Sequence, residues 1–138
     1  MSQENVEIVR RWNTSYNQRD MDALIKLTDP NFEFRSVFLA MESLFRGHDG
    51  LGAYFKAVED AYERFEVIPE DYLDAGAAVL ILCRIEWRGK GSGAAGEVPL
   101  AVCVWLKAGR VFHIESYADR HEGFRAVGLS EQDAHADS

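Results

Sequence analysis

Residues 79–88, with the sequence VLILCRIEWR, decide how this chain folds, because they are apolar at nearly every position. The next apolar run, residues 98–106, has the sequence VPLAVCVWL and the same character. A sheet with one solvated face would alternate apolar and polar residues along each strand. Because neither segment alternates cleanly, we predict that both faces of the sheet are covered.

The second face of this sheet needs a cover that the helices do not supply. Three short helices are expected before these strands, and they can cover one side only. Alternate residues of a strand point to opposite faces of the sheet. The residues predicted to point to the second face include the apolar side chains Leu80, Leu82, Leu100, Val102, Val104 and Val111. Large apolar patches mark interaction surfaces, so we expect a homodimer that associates through the outer sheet face. The alternative is an apolar surface without a partner.

Periodicity and turn residues place the other elements. Val6, Val9, Trp12 and Tyr16 form the apolar stripe of a first helix. Asp20 caps a second helix that Asp29-Pro30 ends, residues 45–50 form a turn, and a third helix follows over 51–62. Strands are predicted over residues 32–36, 67–73, 79–88, 98–106 and 111–118, with Pro69 at an edge or a bulge, and a last helical turn over 121–127.

This order of elements defines an α+β fold, in which helices pack on a curved, mainly antiparallel sheet. One domain is expected over residues 1–128, followed by a flexible tail over residues 129–138 that is rich in Asp, Ser and Ala. A chain of 138 residues is long enough to build its own core without disulfides or metal.

Composition excludes several classes of function. The chain has 15 Lys and Arg against 23 Asp and Glu, a net charge of −8, which argues against nucleic-acid binding. Its longest uncharged apolar stretch, residues 75–83, is far shorter than the roughly 20 residues that span a bilayer. The first five residues lack the features of a secretory signal, so we expect a cytoplasmic protein with no membrane partner.

The sequence predicts neither a metal site nor a cofactor. Cys83 and Cys103 have no CxxC spacing, and we expect two reduced core thiols, although a symmetric hairpin would place them nearly opposite each other. The glycine-rich residues 89–96 join two strands instead of opening a helix, so they do not match a phosphate-binding loop.

Several short motifs carry a family resemblance. They are Trp12 to Tyr16, Asn17-x-x-Asp20-x-Asp22, Asp29-Pro30, Phe45-Arg46-Gly47-His48 and Tyr117-x-Asp119-Arg120. Together with the order of elements, they resemble the nuclear transport factor 2-like superfamily over about residues 4–128. Within it the chain looks like the SnoaL-like branch, which includes polyketide cyclases, and is more distantly similar to ketosteroid isomerase. The resemblance implies a cone-shaped α+β barrel, usually dimeric through the sheet, with an apolar pocket between sheet and helices.

The resemblance also tests one activity. The isomerase family's phenolic oxyanion donor falls at Trp12, its general base at Ser36 and its protonated carboxylic acid at Ala101. None of these residues supplies the base or the oxyanion donor that the isomerisation needs. Ketosteroid isomerisation is therefore excluded.

The same registration implies which side chains line the pocket. From the strands it directs inward Val79, Ile81, Cys83, Ile85, Trp87, Ala101, Cys103, Trp105, Ile114, Ser116 and Ala118. From the other elements it adds Trp12, Tyr16, Phe34, Ser36, Tyr54 and Phe55. Such a lining suits a small hydrophobic molecule that is oriented by Tyr16 and Ser36. The alternative is that these side chains fill the cone as ordinary core.

Three ionisable residues are candidates for catalysis. Asp119 is the nearest counterpart of the aspartate that SnoaL-like cyclases use as general acid and base, but strand parity turns it outward with His113 and Glu115, and it can instead cap the last helix. Arg120 is expected inward at the pocket mouth, either near a ligand or in a structural ion pair. His48 is expected near the pocket rim, as an acid or base or as a turn residue.

The sequence thus leaves three hypotheses. The first is a SnoaL-like domain that binds a small hydrophobic molecule, with acid–base isomerase or cyclase chemistry at Asp119. The second is a noncatalytic binding or dimerisation module. The third is a cone that is filled by its own side chains and serves only to associate. Whether the protein is an enzyme is left open by the sequence; if it is one, we expect a cofactor-independent isomerase, cyclase or hydrolase.

Overall fold

The structure is a computed structural model, and it describes residues 2–36 and 44–130. Within these residues the chain forms the helices α1 (Ser2–Gln18), α2 (Met21–Leu27), α3 (Gly47–Ala61) and α4 (Arg120–Ala126). Its strands are β1 (Thr28–Arg35), β2 (Leu44–Arg46), β3 (Tyr62–Asp74), β4 (Ala78–Gly89), β5 (Ala95–Lys107) and β6 (Arg110–Tyr117). The longest helix, α1, has 17 residues, and none of the described helices has the length and apolar character of a membrane span.

The strands form one curved, unclosed sheet in the order β2-β1-β6-β5-β4-β3. The pair β1–β6 is parallel, and the other neighbouring strands are antiparallel. The helices α1, α2 and α3 contribute Val9, Leu24 and Leu51 to the core that lies against one face of the sheet. The predicted α+β fold with a mainly antiparallel sheet is confirmed.

Two local features differ from the prediction. Residues 45–50, predicted as a turn, instead form the end of the short strand β2 and the start of α3. Phe45 of β2 is buried and pairs with Phe34 of β1. The helix α2 ends at Leu27, before the Asp29-Pro30 pair, because Thr28 already has extended backbone and its hydroxyl donates to the Leu24 carbonyl at 2.6 Å.

The facing of β5 is opposite to the prediction. Val102 lies opposite Ile81, and Cys103 lies opposite Leu80. Directly opposed residues share a sheet face, so Leu100, Val102 and Val104 lie on the helix side, while Ala101, Cys103 and Trp105 lie on the other.

The reason is the length of the connection between β4 and β5. The last pair before it is Arg88 with Ala95, so the connection comprises residues 89–94, an even number. A connection with an even number of residues pairs odd-numbered residues of β4 with even-numbered residues of β5. Changing this register by one residue would turn every side chain of β5 to the opposite face of the sheet. The two cysteines therefore lie on opposite faces of the sheet, and both are free and buried.

The fourth helix covers part of the outer sheet face, which the sequence had left for a partner. The cluster there comprises Leu73, Leu80, Ala101, Cys103 and Phe124, with Leu82, Trp105, Tyr117, Val127 and Leu129 packed around it. Among the described large apolar side chains, only Ile25 on α2 is exposed. The homodimer stays a prediction, and the patch available for it is smaller than the strand pattern indicates.

The predicted tail is only partly described. The Leu129 amide donates to the Phe124 carbonyl at 2.9 Å, so ordered backbone continues past α4. The rest of that prediction, residues 131–138, lies outside the described residues.

The edge strand β3 is protected by α1. The Asn17 side chain donates to the Val67 carbonyl at 2.8 Å and accepts from the Val67 amide at 3.0 Å, as a neighbouring strand would. Pro69, two residues further on, has the same outward orientation, so its missing N–H leaves no gap in the ladder with β4. The prediction of an edge position or a bulge is confirmed on both counts, since the register shifts between Pro69 and Asp71.

Replacing Asn17 by alanine is expected to lower the free energy of unfolding by about 1–2 kcal/mol, because two hydrogen bonds to Val67 are lost. It also frees the Val67 amide at a sheet edge, while the Val67 carbonyl still accepts from Asn13, so the variant should self-associate more readily. Urea denaturation and sedimentation velocity measure the two effects. The control is Gln18→Ala, at an exposed neighbouring position. Equal stability of the two variants would contradict the role assigned to Asn17.

Candidate functional site

A small cavity lies between the helices and the inner face of the sheet. Its described lining comprises Trp12, Asn13, Tyr16, Phe34, Ser36, Tyr54, Phe65, Val67, Ile81, Ile85, Leu100, Val102, Val104, Ile114 and Ser116. Its volume is about 40 Å³, room for roughly three water molecules. A surface cleft of about 420 Å³ between α1 and α2 is larger, but charged side chains such as Arg10, Arg11 and Lys26 line it.

Helical spacing brings the aromatic side chains to this cavity. Trp12 and Tyr16 are four residues apart on α1, and their rings stack at 5.8 Å between centroids. The Trp12 indole donates to the Thr28 hydroxyl at 2.9 Å, which fixes the ring against the start of β1. Tyr54 projects from α3 and packs 4.7 Å from the Phe34 ring of β1. Three elements therefore form one aromatic wall.

The hydroxyl groups of Tyr16 and Tyr54 meet in this wall, with 2.5 Å between the two oxygens. Both side chains are buried. Burial, followed by the proximity of Tyr54, raises the pKa of Tyr16 well above its ordinary value. Burial also raises the pKa of Tyr54 to about 12, although the hydrogen bond with Tyr16 acts in the opposite direction. Both phenols are therefore neutral near pH 7, and one of the two hydroxyls donates to the other.

Two other polar side chains of the lining are hydrogen-bonded to backbone carbonyls. Asn13 donates to the Val67 carbonyl at 3.4 Å, and Ser116 donates to the Arg35 carbonyl at 3.5 Å. Ser36 lies at the end of β1, and it is buried. Of the lining residues that the structure describes, none carries a carboxylate, an imidazole or an amine.

Six of the predicted ligand-binding residues line this cavity: Trp12, Tyr16, Phe34, Ser36, Tyr54 and Ser116. Phe55 packs behind the Tyr16 ring, at 5.1 Å between centroids. Cys83 belongs to the same core, but its thiol lies 3.6 Å from the Leu100 carbonyl and outside the lining. The role of these residues in binding stays a prediction.

Three other predicted lining residues lie elsewhere. Trp87 packs against Gly96, where an added Cβ atom would lie 3.2 Å from the indole ring. Cys103 and Trp105 are on the outer sheet face, where the Cys103 thiol donates to the Gly123 carbonyl at 3.4 Å and the Trp105 ring packs on His113. Cys103 and Trp105 lie there because the side chains of β5 face opposite to the prediction.

Two strands contribute lining residues that the sequence did not predict: Phe65 and Val67 of β3, and Leu100, Val102 and Val104 of β5. Asn13 of α1 was also missed. The facing of the β5 residues could be predicted only from the number of residues that connect β4 to β5. The predicted strand boundaries did not define that number.

Both thiols are weak nucleophiles near pH 7, because burial favours their protonated form. Burial raises the pKa of Cys83 to about 12, although the nearby Arg120 charge opposes the rise. Burial raises the pKa of Cys103 to about 12 as well. A thiol of this kind is protonated near pH 7, and the thiolate is the reactive form.

The three candidates for catalysis lie outside the described lining. The Asp119 carboxylate is exposed and accepts from the His121 amide at 2.9 Å, which makes it the N-cap of α4. His48 is hydrogen-bonded at 2.9 Å to the Thr28 carbonyl, which ties the start of α3 to β1.

Arg120 is also directed away from the cavity, contrary to the predicted inward orientation. Its guanidinium pairs with Glu70 and donates to the Cys83 carbonyl at 2.7 Å. Glu70 also pairs with Arg84. On β4, Arg84 points to the same side as Leu80 and Leu82, which lie on the outer sheet face. The α4 start turns Arg120 onto that face, because α4 itself packs there. Among the described residues, no group of three or more His, Cys, Asp or Glu is placed to bind a metal ion.

Fold and cavity together define a helix-on-curved-sheet domain with an apolar interior. A family model for the SnoaL-like domain matches residues 9–114, and the chain belongs to this family. A comparison with curated protein sequences found no significant match.

Solved structures share the fold at low sequence identity. TerC, co-crystallised with polyporic acid, is 14% identical, with 91% of this chain and 98% of TerC covered and a TM-score of 0.75. A protein with a ketosteroid isomerase-like fold from Catenulispora acidiphila, in complex with trimethylamine, is 19% identical, with 89% of this chain and 93% of that protein covered and a TM-score of 0.72. A candidate SnoaL-like polyketide cyclase from Jannaschia is 21% identical, with 84% and 85% covered and a TM-score of 0.73.

Proposed function

We propose that this SnoaL-like domain binds a small, mostly apolar molecule that carries one hydrogen-bond acceptor. The observation that carries the proposal is the Tyr16–Tyr54 pair at the cavity. Two hydroxyl groups have two hydrogens, and the bond between them uses one. The second hydrogen is available to a carbonyl or ether oxygen in the cavity, while the apolar lining receives the rest of the ligand.

The same lining supports binding over acid–base catalysis. General acid–base chemistry needs a group whose pKa lies near the working pH, within hydrogen-bond reach of the substrate. The ionisable side chains of the described lining are two phenols, and both have raised pKa values. Asp119, the candidate base, serves as a helix cap outside this lining. A noncatalytic binding module is therefore the function that this geometry supports best.

The ligand must be compact, or side chains must move to admit it. A cavity of about 40 Å³ is smaller than the roughly 150 Å³ that holds benzene in a protein core. Aromatic side chains fill much of the space between sheet and helices, as the third hypothesis from the sequence expects. TerC and the Catenulispora acidiphila protein, which share this fold, were crystallised with polyporic acid and trimethylamine, which supports small-molecule binding as the general role.

The double variant Tyr16→Phe/Tyr54→Phe tests the proposal with the ketone pinacolone as the probe, which side chains around the cavity must move to admit. Both rings stay and both hydroxyls go, so stability should change little. Affinity for pinacolone should fall by about 2- to 12-fold, the equivalent of one hydrogen bond. Protein-observed NMR titration at pH 7 gives the dissociation constants.

Two controls separate this effect from a change in packing. Affinity for neohexane, which has a similar shape but no oxygen, should be the same in both proteins. Tyr62→Phe, which removes a phenol outside the described lining, should bind pinacolone like the unmodified protein. If wild-type protein does not bind pinacolone, or if the double variant binds it equally well, the proposal is wrong.

A further inference from the structure

Arg19 lies directly behind the aromatic wall of the cavity. It connects α1 to α2 with a φ of 57°, a left-handed conformation that turns its side chain back over α1. The guanidinium carbon lies 5.2 Å from the centroid of the Tyr16 ring and 5.1 Å from that of Phe55. Its nitrogens donate to the Tyr16 carbonyl at 2.7 Å and the Phe65 carbonyl at 2.9 Å. These four contacts hold the guanidinium in place.

No carboxylate among the described residues neutralises this charge. Three described arginines are half-buried: Arg19, Arg84 and Arg120. The other two pair with Glu70, whereas none of the ion pairs between described residues includes Arg19. Its hydrogen-bond partners are neutral carbonyls, and the adjacent Asp20 carboxylate accepts from the Ala23 amide as the cap of α2. A full positive charge therefore remains behind the wall.

The charge acts on the hydroxyl pair inside the cavity. The proximity of Arg19 lowers the pKa of both Tyr16 and Tyr54, against the larger rise that burial causes. Because the guanidinium also occupies the π-faces of Tyr16 and Phe55, those rings are polarised toward it. A second cation on the cavity side would be repelled by the charge.

We propose that Arg19 determines the charge preference of the cavity, so that it accepts neutral carbonyl compounds and compact anions and rejects amines. This inference rests on the proposed binding function and adds the class of ligand to it. Both kinds of ion lose hydration on entering an apolar cavity, so the neutral ligand binds best. The two ions then differ in sign, and the fixed positive charge favours the anion.

Three probes with the same tert-butyl group test the inference: pinacolone, pivalate and neopentylammonium. Wild-type protein at pH 7 and low salt should bind pivalate about tenfold more tightly than neopentylammonium, with pinacolone tightest. In Arg19→Gln, whose amide can still donate to a backbone carbonyl, this ratio should fall toward one while the affinity for pinacolone is retained. Arg19→Lys, which keeps the charge, should retain the ratio.

The outcomes distinguish the inference from the function on which it rests. If wild-type protein binds none of the probes, the proposed function fails and the inference fails with it. If pinacolone binds but neopentylammonium binds as tightly as pivalate, the inference alone is overturned. It is also overturned if Arg19→Gln keeps the wild-type ratio, because the preference then comes from another group.

Discussion

Replacing Phe34 by alanine is expected to lower the free energy of unfolding by about 3–5 kcal/mol, the usual cost of removing a buried phenylalanine ring. Phe34 is buried in the wall of the cavity and contacts both Phe32 and Tyr54. Its removal also joins the space of the ring to the existing cavity. The variant should therefore bind toluene more tightly than the wild type does, because the wild-type cavity of about 40 Å³ must first expand to admit a molecule of this size.

Toluene binding provides the measurement. A ligand that binds only the folded state stabilises it by an amount that grows with concentration, about 2.7 kcal/mol at one hundred times the dissociation constant. The melting temperature of Phe34→Ala should rise more on addition of toluene than that of the wild type. Thermal unfolding followed by circular dichroism reports both.

The matched control is Phe124→Ala. Phe124 is equally well buried, but it belongs to the cluster between α4 and the outer sheet face. Its loss of stability should be similar, and the hole is separate from the central cavity. Equal stabilisation of both variants by toluene would mean that the central cavity has no special capacity for a ligand.

Gly123→Ala is expected to lower the free energy of unfolding by about 3 kcal/mol, at the upper end of the usual cost of overpacking. A Cβ atom at Gly123 would lie 2.5 Å from the Ala101 Cβ and 3.3 Å from the Leu80 Cδ1. The Ala101 Cβ is attached to the backbone of β5, so neither atom can move alone. The helix α4 must shift away from the sheet, which also disturbs the Arg120 contacts at its start.

Gly52→Ala is the control for the intrinsic effect of the substitution. Gly52 lies in α3 with no heavy atom within 4 Å of its added Cβ, so this variant should be more stable by about 0.5–1 kcal/mol. The double variant Ala101→Gly/Gly123→Ala removes the clash and should recover most of the loss. Urea denaturation of the wild type, Gly123→Ala, Ala101→Gly and the double variant completes a double-mutant cycle. Additive effects of the two substitutions would show that α4 does not pack as described.

The variants Phe34→Ala and Gly123→Ala both change how side chains fill the interior of the molecule. On the inner side of the sheet, aromatic residues from α1, β1 and α3 leave a small cavity around two phenols. On the outer side, a glycine lets α4 approach β5 closely. The ionisable candidates Asp119 and Arg120 are used in attaching α4, which is why they support the fold while the phenols provide the polar groups of the cavity.

Much of the fold was predictable because it depends on local patterns. Asp20 caps α2 as its position before an apolar segment indicates, and its carboxylate accepts from the Ala23 amide. Pro69 marks an edge strand because proline cannot donate to a ladder. The stripe that includes Trp12 and Tyr16 faces the core because helical spacing places both on one side.

The candidate site was predictable in its composition and only partly in its arrangement. Trp12, Tyr16, Phe34 and Tyr54 line the cavity as expected from the family resemblance. The strand β5 was placed with the wrong face inward, because a segment that is apolar on both faces does not show by itself which face is buried against the helices. Only the six residues of the connection between Arg88 and Ala95 decide it.

The sequence by itself thus determined the class of fold and, apart from the short strand β2, the elements and their order, since those depend on residues close together in the chain. The tertiary structure decided what the interior can do. Tyr16 and Tyr54 are 38 residues apart, and their hydroxyls meet only because α1 and α3 cross the same face of the sheet. Arg19 reaches the rings of Tyr16 and Phe55 only after the chain reverses between α1 and α2. Contacts of this kind depend on how whole elements pack, and no local pattern in the sequence encodes them.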